Sequence, residues 1–219
     1  MERHKFPRTP HFPWSPGFSG DDDKLVKVDQ FESMHEIIVT EKLDGENTSV
    51  YSDGYLHARS MDGTSHPSRD WVKRHMASRY HDIPKDWRVC GESVYGIHSI
   101  EYDNLHTAFF VFSVIDETDR VLSWDDIVEF CQLLDLETVP LIYRGHWDEE
   151  KIKNILPEKS KFGPKIEGYV VRNAAAFDMS DYALNVAKFV RKGHIQTDDH
   201  WLKNWKSATI KKENDDNAS

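Results

Sequence analysis

Residues 37–47 read IIVTEKLDGEN, a short β-branched run that leads into a charged, glycine-containing turn. The run predicts a strand, and Lys42 then lies at the strand end beside Gly45. A lysine held there in a cleft, partly desolvated and close to other cations, has a lowered pKa and a lone pair free for attack. The K-x-D-G match is weak by itself, because average composition produces it in roughly one chain in twenty of this size. Taken alone, it favours a solvated turn lysine.

The segment after this turn predicts a β-hairpin. Two extended runs, 48–52 and 55–60, flank Asp53-Gly54, and this dipeptide is a strong signal for a two-residue loop. Such a loop sets Thr48 opposite Arg59. We therefore expect the hairpin to bring Arg59 back beside the lysine turn.

The remaining pattern mixes strands and helices. Helices are predicted over residues 69–80, over 124–134 with Ser123 as N-cap, and over 198–206 with Thr197 as N-cap. Strand-like runs occupy residues 87–94, 108–115, 166–172 and 184–190. Because strands outnumber helices without a βαβ rhythm, we expect an α+β domain rather than a doubly wound sheet.

Composition narrows the class of protein. The 219 residues suffice for one domain, and 38% hydrophobic residues exclude a disordered chain. No segment predicts a signal peptide or a membrane span, and two cysteines are too few for a disulfide framework, so a soluble cytoplasmic protein without membrane contact is expected. The net charge of −10 divides unevenly: residues 151–219 carry 13 basic and 9 acidic residues, net +4, which leaves −14 for the rest. A basic face is therefore expected in the C-terminal third.

Lys188 lies in the last predicted strand. Alternation through Leu184, Val186, Lys188 and Val190 puts the lysine on an otherwise apolar face. An unpaired ammonium would be costly there, so Lys188 is expected to meet an anion.

Four further strings follow the lysine turn in order: CGESVYG at 90–96, FFVF at 109–112, KIEGYVVR at 165–172 and AKFVRK at 187–192. With residues 41–47 they resemble motifs I, III, IIIa, IV and V of the covalent nucleotidyltransferases, the superfamily of DNA ligases, RNA ligases and mRNA capping enzymes. The chain looks closest to phage and bacterial RNA ligases, through Glu41, Asn47, the string RTPH at 8–11 and HSIEY at 98–102. The resemblance covers about residues 5–205 and implies a domain of antiparallel sheets flanked by helices.

The resemblance also implies roles. Lys42 would attack the α-phosphate of ATP, carry AMP, and pass it to a 5′-phosphate that a 3′-hydroxyl then displaces. The nucleotide would be bound by Glu92 at the ribose, Phe112 at the adenine, Lys188 at the α-phosphate, and by Glu41, Asn47 and Arg59, while Glu167 would bind Mg²⁺ or Mn²⁺. Phe109 and Phe110 are the core alternatives to Phe112, and a cross-strand ion pair is the alternative for Arg59. Some RNA ligases have K-x-K in motif V, whereas this chain has Lys188-Phe189-Val190, so either Arg191 or Lys192 would make the phosphate or RNA contact. His98 is also a candidate RNA contact by resemblance, and the roles of His98 and His11 stay open.

Only 27 residues follow Lys192, too few for an OB-fold barrel. We therefore expect an extended lead-in at 1–23, a bare adenylyltransferase domain at 24–206 and a flexible tail at 207–219. RNA with 5′-phosphate and 3′-hydroxyl ends is the expected substrate, held by Lys203, Lys206, Lys211 and Lys212, by the lead-in, or by a partner protein. Two alternatives remain open: a minimal DNA ligase, and a non-catalytic nucleotide- or RNA-binding module.

Overall fold

A computed structural model describes residues 2–18, 24–61, 66–192 and 205–211. The strands in these ranges are β1 Ile37–Lys42, β2 Glu46–Tyr51, β3 Leu56–Ala58, β4 Arg88–Ser93, β5 Phe109–Ile115, β6 Arg120–Val121, β7 Glu137–Thr138, β8 Leu141–Gly145, β9 Gly168–Asn173, β10 Phe177–Asp178 and β11 Val186–Val190. The helices are α1 Asp70–Met76, α2 Trp124–Leu133, α3 Glu149–Lys153 and α4 Tyr182–Asn185. Short 3-10 turns cover Val28–Phe31, Pro67–Arg69, Tyr80–Asp82 and Met179–Asp181.

The strands form two sheets. The first has the order β11-β9-β1-β8, and the second has the order β10-β6-β5-β4-β2-β3, with β7 beside β5. All named pairs are antiparallel except β5 with β7. The predicted α+β class with antiparallel sheets is confirmed.

Most predicted elements are found. All seven predicted strands appear, and α2 begins after Ser123, whose hydroxyl accepts the Asp126 amide. Helix α1 is shorter than predicted, because the chain continues through separate 3-10 turns at either end. The predicted helix at 198–206 lies mostly outside the described residues. The sequence patterns missed α3, α4 and three two-residue strands, whose periodicity is too brief to detect, and they also missed the five-residue strand β8.

The hairpin prediction was wrong by one residue. Thr48 pairs with Ala58 and not with Arg59, and the Tyr51 amide donates to the Tyr55 carbonyl around a three-residue loop. Gly54 closes this loop with φ of +78°, the left-handed conformation that such loops require of their last residue. A shift of one residue exchanges the two faces of a strand. Extended by one step, the observed register still sets Arg59 near Asn47.

The two sheets face each other and bury an apolar layer between them. Ile38 of β1, Phe110 of β5 and Val186 of β11 lie in this layer. Helices α1 and α2 pack on the outer face of the second sheet through Val72 and Ile127. A third cluster covers the outer face of the first sheet, where α3 packs with the N-terminal residues. Both sheets are therefore covered by packed layers on their outer faces as well.

Both terminal segments are bonded to the domain. Residues 10–17 run along the edge strand β11, where the Phe12 amide donates to the Lys188 carbonyl at 2.9 Å and the Gly17 amide to the Val190 carbonyl at 3.0 Å. Such a contact covers exposed strand-edge groups. Residues 207–211, the described part of the predicted flexible tail, bond to residues 95–105 through the Ala208 and Lys211 amides. No helix among the described residues has the length and apolar character of a membrane span.

Candidate active site

Lys42 and Glu167 meet at the end of β1, on the face of the first sheet that is turned toward the second. Lys42 ends β1 opposite Gly168, so Glu167 immediately precedes the paired position on β9. The Lys42 Nζ lies 2.8 Å from Glu167 Oε2, and the Glu167 side chain is only 1% exposed. The sequence placed these residues 125 positions apart, and the β1–β9 pairing joins them.

The charge around Lys42 differs from the expectation. Burial lowers the pKa of Lys42, but Glu167, Glu92 and Asp44 raise it by more, so the pKa lies above its ordinary value. The predicted lowering by neighbouring cations was wrong, because the nearby groups that act on this lysine are carboxylates. In the free protein the amine is charged and has to lose a proton before it can act as a nucleophile.

Glu92 lies beside the lysine turn on β4. Its Oε1 accepts the Gly45 amide at 3.1 Å, and Asn47 faces it across the β2–β4 ladder. Burial raises the pKa of Glu92 to about 7, with Lys42 opposing the rise. Gly45 is required at this turn, because a Cβ there would lie 2.3 Å from the Ser93 carbonyl oxygen. Glu92 and Asn47, both predicted to bind the nucleotide, therefore lie opposite each other on paired strands beside the lysine turn.

Asp44 is a positioning residue to which the sequence analysis gave no role. Its Oδ2 accepts the Ser99 amide at 2.8 Å, the Ser99 hydroxyl at 2.8 Å and the Ile100 amide at 2.7 Å. The Asp44 amide in turn donates to the Tyr102 hydroxyl at 2.8 Å. These bonds join the lysine turn to the loop after β4. An acid in a tight turn was the available signal, but its donors lie 55 residues away.

Phe112 is the one residue of β5 that is not fully buried. The pairing with β4 shifts between Cys90 and Gly91, so Phe112 is the extra residue of a bulge. Bulges re-aim side chains. Phe109 and Phe110 are 0% exposed, as their core alternative requires. Phe6 holds the Phe112 ring edge-on, with centroids 5.3 Å apart.

Lys188 lies on the same face of the first sheet as Lys42. The register aligns Thr40, Val170 and Lys188 in one row, directly beside the row of Lys42 and Gly168. Lys188 is 8% exposed. The expected alternation from Leu184 was wrong, because Leu184 belongs to α4 and is 56% exposed. Burial of the lysine is confirmed for the shorter strand β11.

Glu41 lies on the other face of β1. Strand alternation sets it with Val39 and Tyr169, away from the Lys42 amine. Its Oε2 accepts the Lys161 amide at 3.0 Å, and burial raises its pKa against the opposing effects of Ser160 and Lys161. Within the described chain, Glu41 Oε1 and Asn47 Oδ1 are buried without a hydrogen-bond partner.

The other predicted contacts lie around this centre. Arg59 is half-buried just after β3, and His98 precedes Ser99 in the loop that holds Asp44. The Arg191 amide donates to the Glu167 carbonyl at 3.0 Å, and Lys192 is exposed next to it. His11 is 1% exposed, with its Nδ1 2.8 Å from the Ser15 hydroxyl.

Solved structures share this arrangement of sheets. An archaeal ATP-dependent RNA ligase has a TM-score of 0.61 at 16% identity, covering 85% of this chain and 48% of its own. A mutant Naegleria gruberi RNA ligase with ATP and Mn has 0.58 at 16%, covering 74% and 51%. A protein from Aquifex aeolicus, described as an ATP-dependent DNA ligase, has a TM-score of 0.55 at 20% identity, covering 85% of this chain and 50% of its own. The chain thus spans about half the length of these structures.

The fold is that of the nucleotidyltransferase domain of ATP-dependent ligases. The sequence profile of the RNA ligase family matches residues 35–190, well over half of the 219 residues. The chain belongs to the RNA ligase family. A comparison with curated protein sequences gives no significant match.

Proposed function

We propose that this chain is an ATP-dependent RNA ligase that joins a 3′-hydroxyl to a 5′-phosphate. The observation that carries the proposal is the Lys42–Glu167 pair at 2.8 Å in the cleft, with Glu92 beside it. Membership of the RNA ligase family supports RNA as the substrate. The intact set of lysine and acids argues against a non-catalytic binding module.

The reaction takes three transfers at phosphorus. The neutral Lys42 amine attacks the α-phosphate of ATP, forms a phosphoramidate bond to AMP and releases pyrophosphate. A 5′-phosphate oxygen of the RNA then attacks the same phosphorus, and Lys42 leaves. Finally the 3′-hydroxyl attacks the activated 5′-phosphate, its proton is lost and AMP leaves. Such transfers depend mainly on positioning and charge neutralisation.

The cleft offers groups for each part of the nucleotide. Phe112 stacks on the adenine, Glu92 accepts from the ribose hydroxyls, and Lys188 binds the α-phosphate. The unpartnered Oδ1 of Asn47 is an acceptor for a nucleotide donor. Glu41 lies on the other face of β1, so its contribution to the nucleotide site is to hold the Lys161 amide beside the lysine turn. Arg59 adds a cation beside Asn47. These roles rest on the placement of the side chains around Lys42.

A divalent cation fits the carboxylate of Glu167. The described residues contain no group of three or more His, Cys, Asp or Glu able to hold a metal, so most ligands would be phosphate oxygens and water, an arrangement typical of Mg²⁺. The bound ion would neutralise phosphate charge. With its carboxylate shared with the ion, Glu167 would raise the pKa of Lys42 less than it does in the free protein.

A minimal DNA ligase is the second candidate, because the Aquifex aeolicus structure has the same fold. A strand-joining assay separates the two. Nicked duplexes and single strands of RNA and DNA, each with 5′-phosphate and 3′-hydroxyl ends, are incubated with ATP and Mg²⁺. We expect joining to require a ribose at the 3′ end. Equal sealing of all-DNA nicks would favour the DNA ligase, and absence of joining on every substrate would contradict both.

A further inference from the structure

A lysine-rich loop borders the candidate active site. Residues 157–165 connect α3 to the segment before β9, and Lys159, Lys161 and Lys165 are exposed. We call this segment the basic loop. It carries three lysines and one acid, Glu158, in a chain with a net charge of −10.

The backbone of the basic loop is fixed. Its Lys161 amide donates to Glu41 Oε2 at 3.0 Å, and the Phe162 carbonyl accepts the Asp103 and Asn104 amides at 3.0 and 3.1 Å. Phe162 is only 2% exposed and packs with Phe110, centroids 4.7 Å apart. The lysine side chains therefore extend from a rigid support at a defined position.

That position is next to the reacting groups. Lys165 lies two residues before Glu167, so the Cα atoms of Lys165 and Glu167 are at most about 7 Å apart. The bond of the loop to Glu41 is made on the face of β1 opposite to the Lys42 amine, one residue along the strand. On the other side of Glu167, its carbonyl accepts the Arg191 amide, with Lys192 following. Cations of the basic loop and of the residues after β11 thus flank the same acid.

These cations have few partners inside the domain: the Lys161 Nζ lies 5.8 Å from the centroid of the Phe162 ring, and its charge opposes the rise that burial causes in the pKa of Glu41. Among the described residues, no ion pair involves Lys159, Lys161, Lys165, Arg191 or Lys192, and Arg191 Nε is buried without a partner. The acids Glu101 and Asp103 border the loop at Gly163, and the Asp103 amide also bonds to the Phe162 carbonyl. Exposed, unpaired lysines match the regularly spaced charges of a polynucleotide backbone.

We propose that Lys159, Lys161 and Lys165 bind the phosphate backbone of the RNA strand whose 5′-phosphate enters the site. The proposal rests on the proposed function, because it takes Lys42 and Glu167 as the reacting centre. ATP is a poorer match, since its phosphates belong inside the cleft with Lys42 and Lys188. An acidic protein partner would also contact such a loop, and the test below separates it from RNA.

The test compares the triple variant Lys159→Ala, Lys161→Ala, Lys165→Ala with a control, Lys73→Ala, Arg74→Ala, Lys85→Ala. The control residues are exposed on the helical side of the second sheet, and removing them changes the net charge equally. Binding of a 5′-phosphorylated single-stranded RNA is measured by fluorescence anisotropy between 50 and 200 mM salt. Three lost phosphate contacts reduce the slope of log affinity against log salt by about 2. Wild-type affinity should then fall about 16-fold more than variant affinity over this range.

Replacement of the same three lysines by arginine should restore the wild-type slope, because the charge is kept. An unchanged slope in the alanine variant, or an equal change in the control, would overturn the proposal and leave an acidic protein as the occupant. Adenylylation by ATP alone is followed in parallel. If wild type forms no adduct but the slopes still differ, the proposed function fails while the RNA contact stands.

Discussion

The ammonium of Lys42 and the carboxylate of Glu167 form a 2.8 Å ion pair that joins the last residue of β1 to the residue before β9. The amine of the proposed nucleophile is therefore protonated in the free protein, and Glu92 and Asp44 add to the negative charge around it. ATP and a divalent cation would have to change this balance before attack. The free protein is predicted to be unreactive at Lys42.

The raised pKa of Lys42 predicts that amine-reactive reagents modify this lysine slowly. Each unit by which a pKa rises makes the neutral amine about tenfold rarer at a given pH. Competitive labelling with an amine-reactive reagent at pH 8, read by peptide mass spectrometry, should modify Lys42 at least about tenfold more slowly than exposed Lys85. Glu167→Gln should accelerate labelling of Lys42 and leave Lys85 unchanged. Equal labelling of both lysines in wild type would contradict the pairing.

The raised pKa of Glu92 predicts that the free energy of unfolding depends on pH. Its pKa is raised from 4.5 to about 7, so the folded state binds the proton more tightly than the unfolded state. The resulting stabilisation is complete below pH 4.5 and is lost as the pH rises through 7. Relative to Glu92→Gln, wild type should lose about 2–3 kcal/mol of unfolding free energy across this window. Urea unfolding at several pH values measures it, and a constant difference between the two proteins would rule it out.

The hydrogen bonds of Asp44 predict that substitutions of Asp44 and of Ser99 lower the free energy of unfolding by different amounts. Asp44→Ala removes the acceptor of three hydrogen bonds and leaves the buried Ile100 amide unsatisfied, which should cost about 3 kcal/mol. Ser99→Ala removes only the hydroxyl bond and should cost about 1 kcal/mol. We expect the free energy of unfolding in urea and the adenylylation rate both to increase from Asp44→Ala through Ser99→Ala to wild type. The reverse order would show that Asp44 does not hold the turn.

Phe112 and Phe6 predict an effect on nucleotide affinity. Phe112→Ala removes a base-stacking surface worth about 1–3 kcal/mol and should raise the KM for ATP about tenfold. Phe6→Ala should raise KM by less, because Phe6 only holds the Phe112 ring edge-on. Phe109→Leu, on the opposite face of β5, serves as control and should lower stability without moving KM. A KM unaffected by Phe112→Ala would exclude stacking.

The sequence predicted the longer strands of both sheets and the α2 cap because each leaves a local pattern, whereas the adenine contact of Phe112 came from the family resemblance and stays a prediction. It missed the hairpin register because Asp53-Gly54 closes a loop of three residues, a difference of one that the pattern does not encode. It missed the anchoring by Asp44, because the donors come from the loop after β4. It expected cations around Lys42, because the two acids that raise the pKa of Lys42 most come from β4 and from the residue before β9. Contacts between distant strands decide both features.

Transfer of AMP from ATP to Lys42 is the step on which the proposed function depends. Purified protein is incubated with Mg²⁺ and ATP, and intact and peptide mass spectrometry locate any adduct. We expect one AMP on the peptide containing Lys42, reversed by pyrophosphate, present in a Lys85→Ala control and absent in Lys42→Ala. Wild-type protein without an adduct, or a Lys42→Ala variant that carries AMP equally, would contradict it.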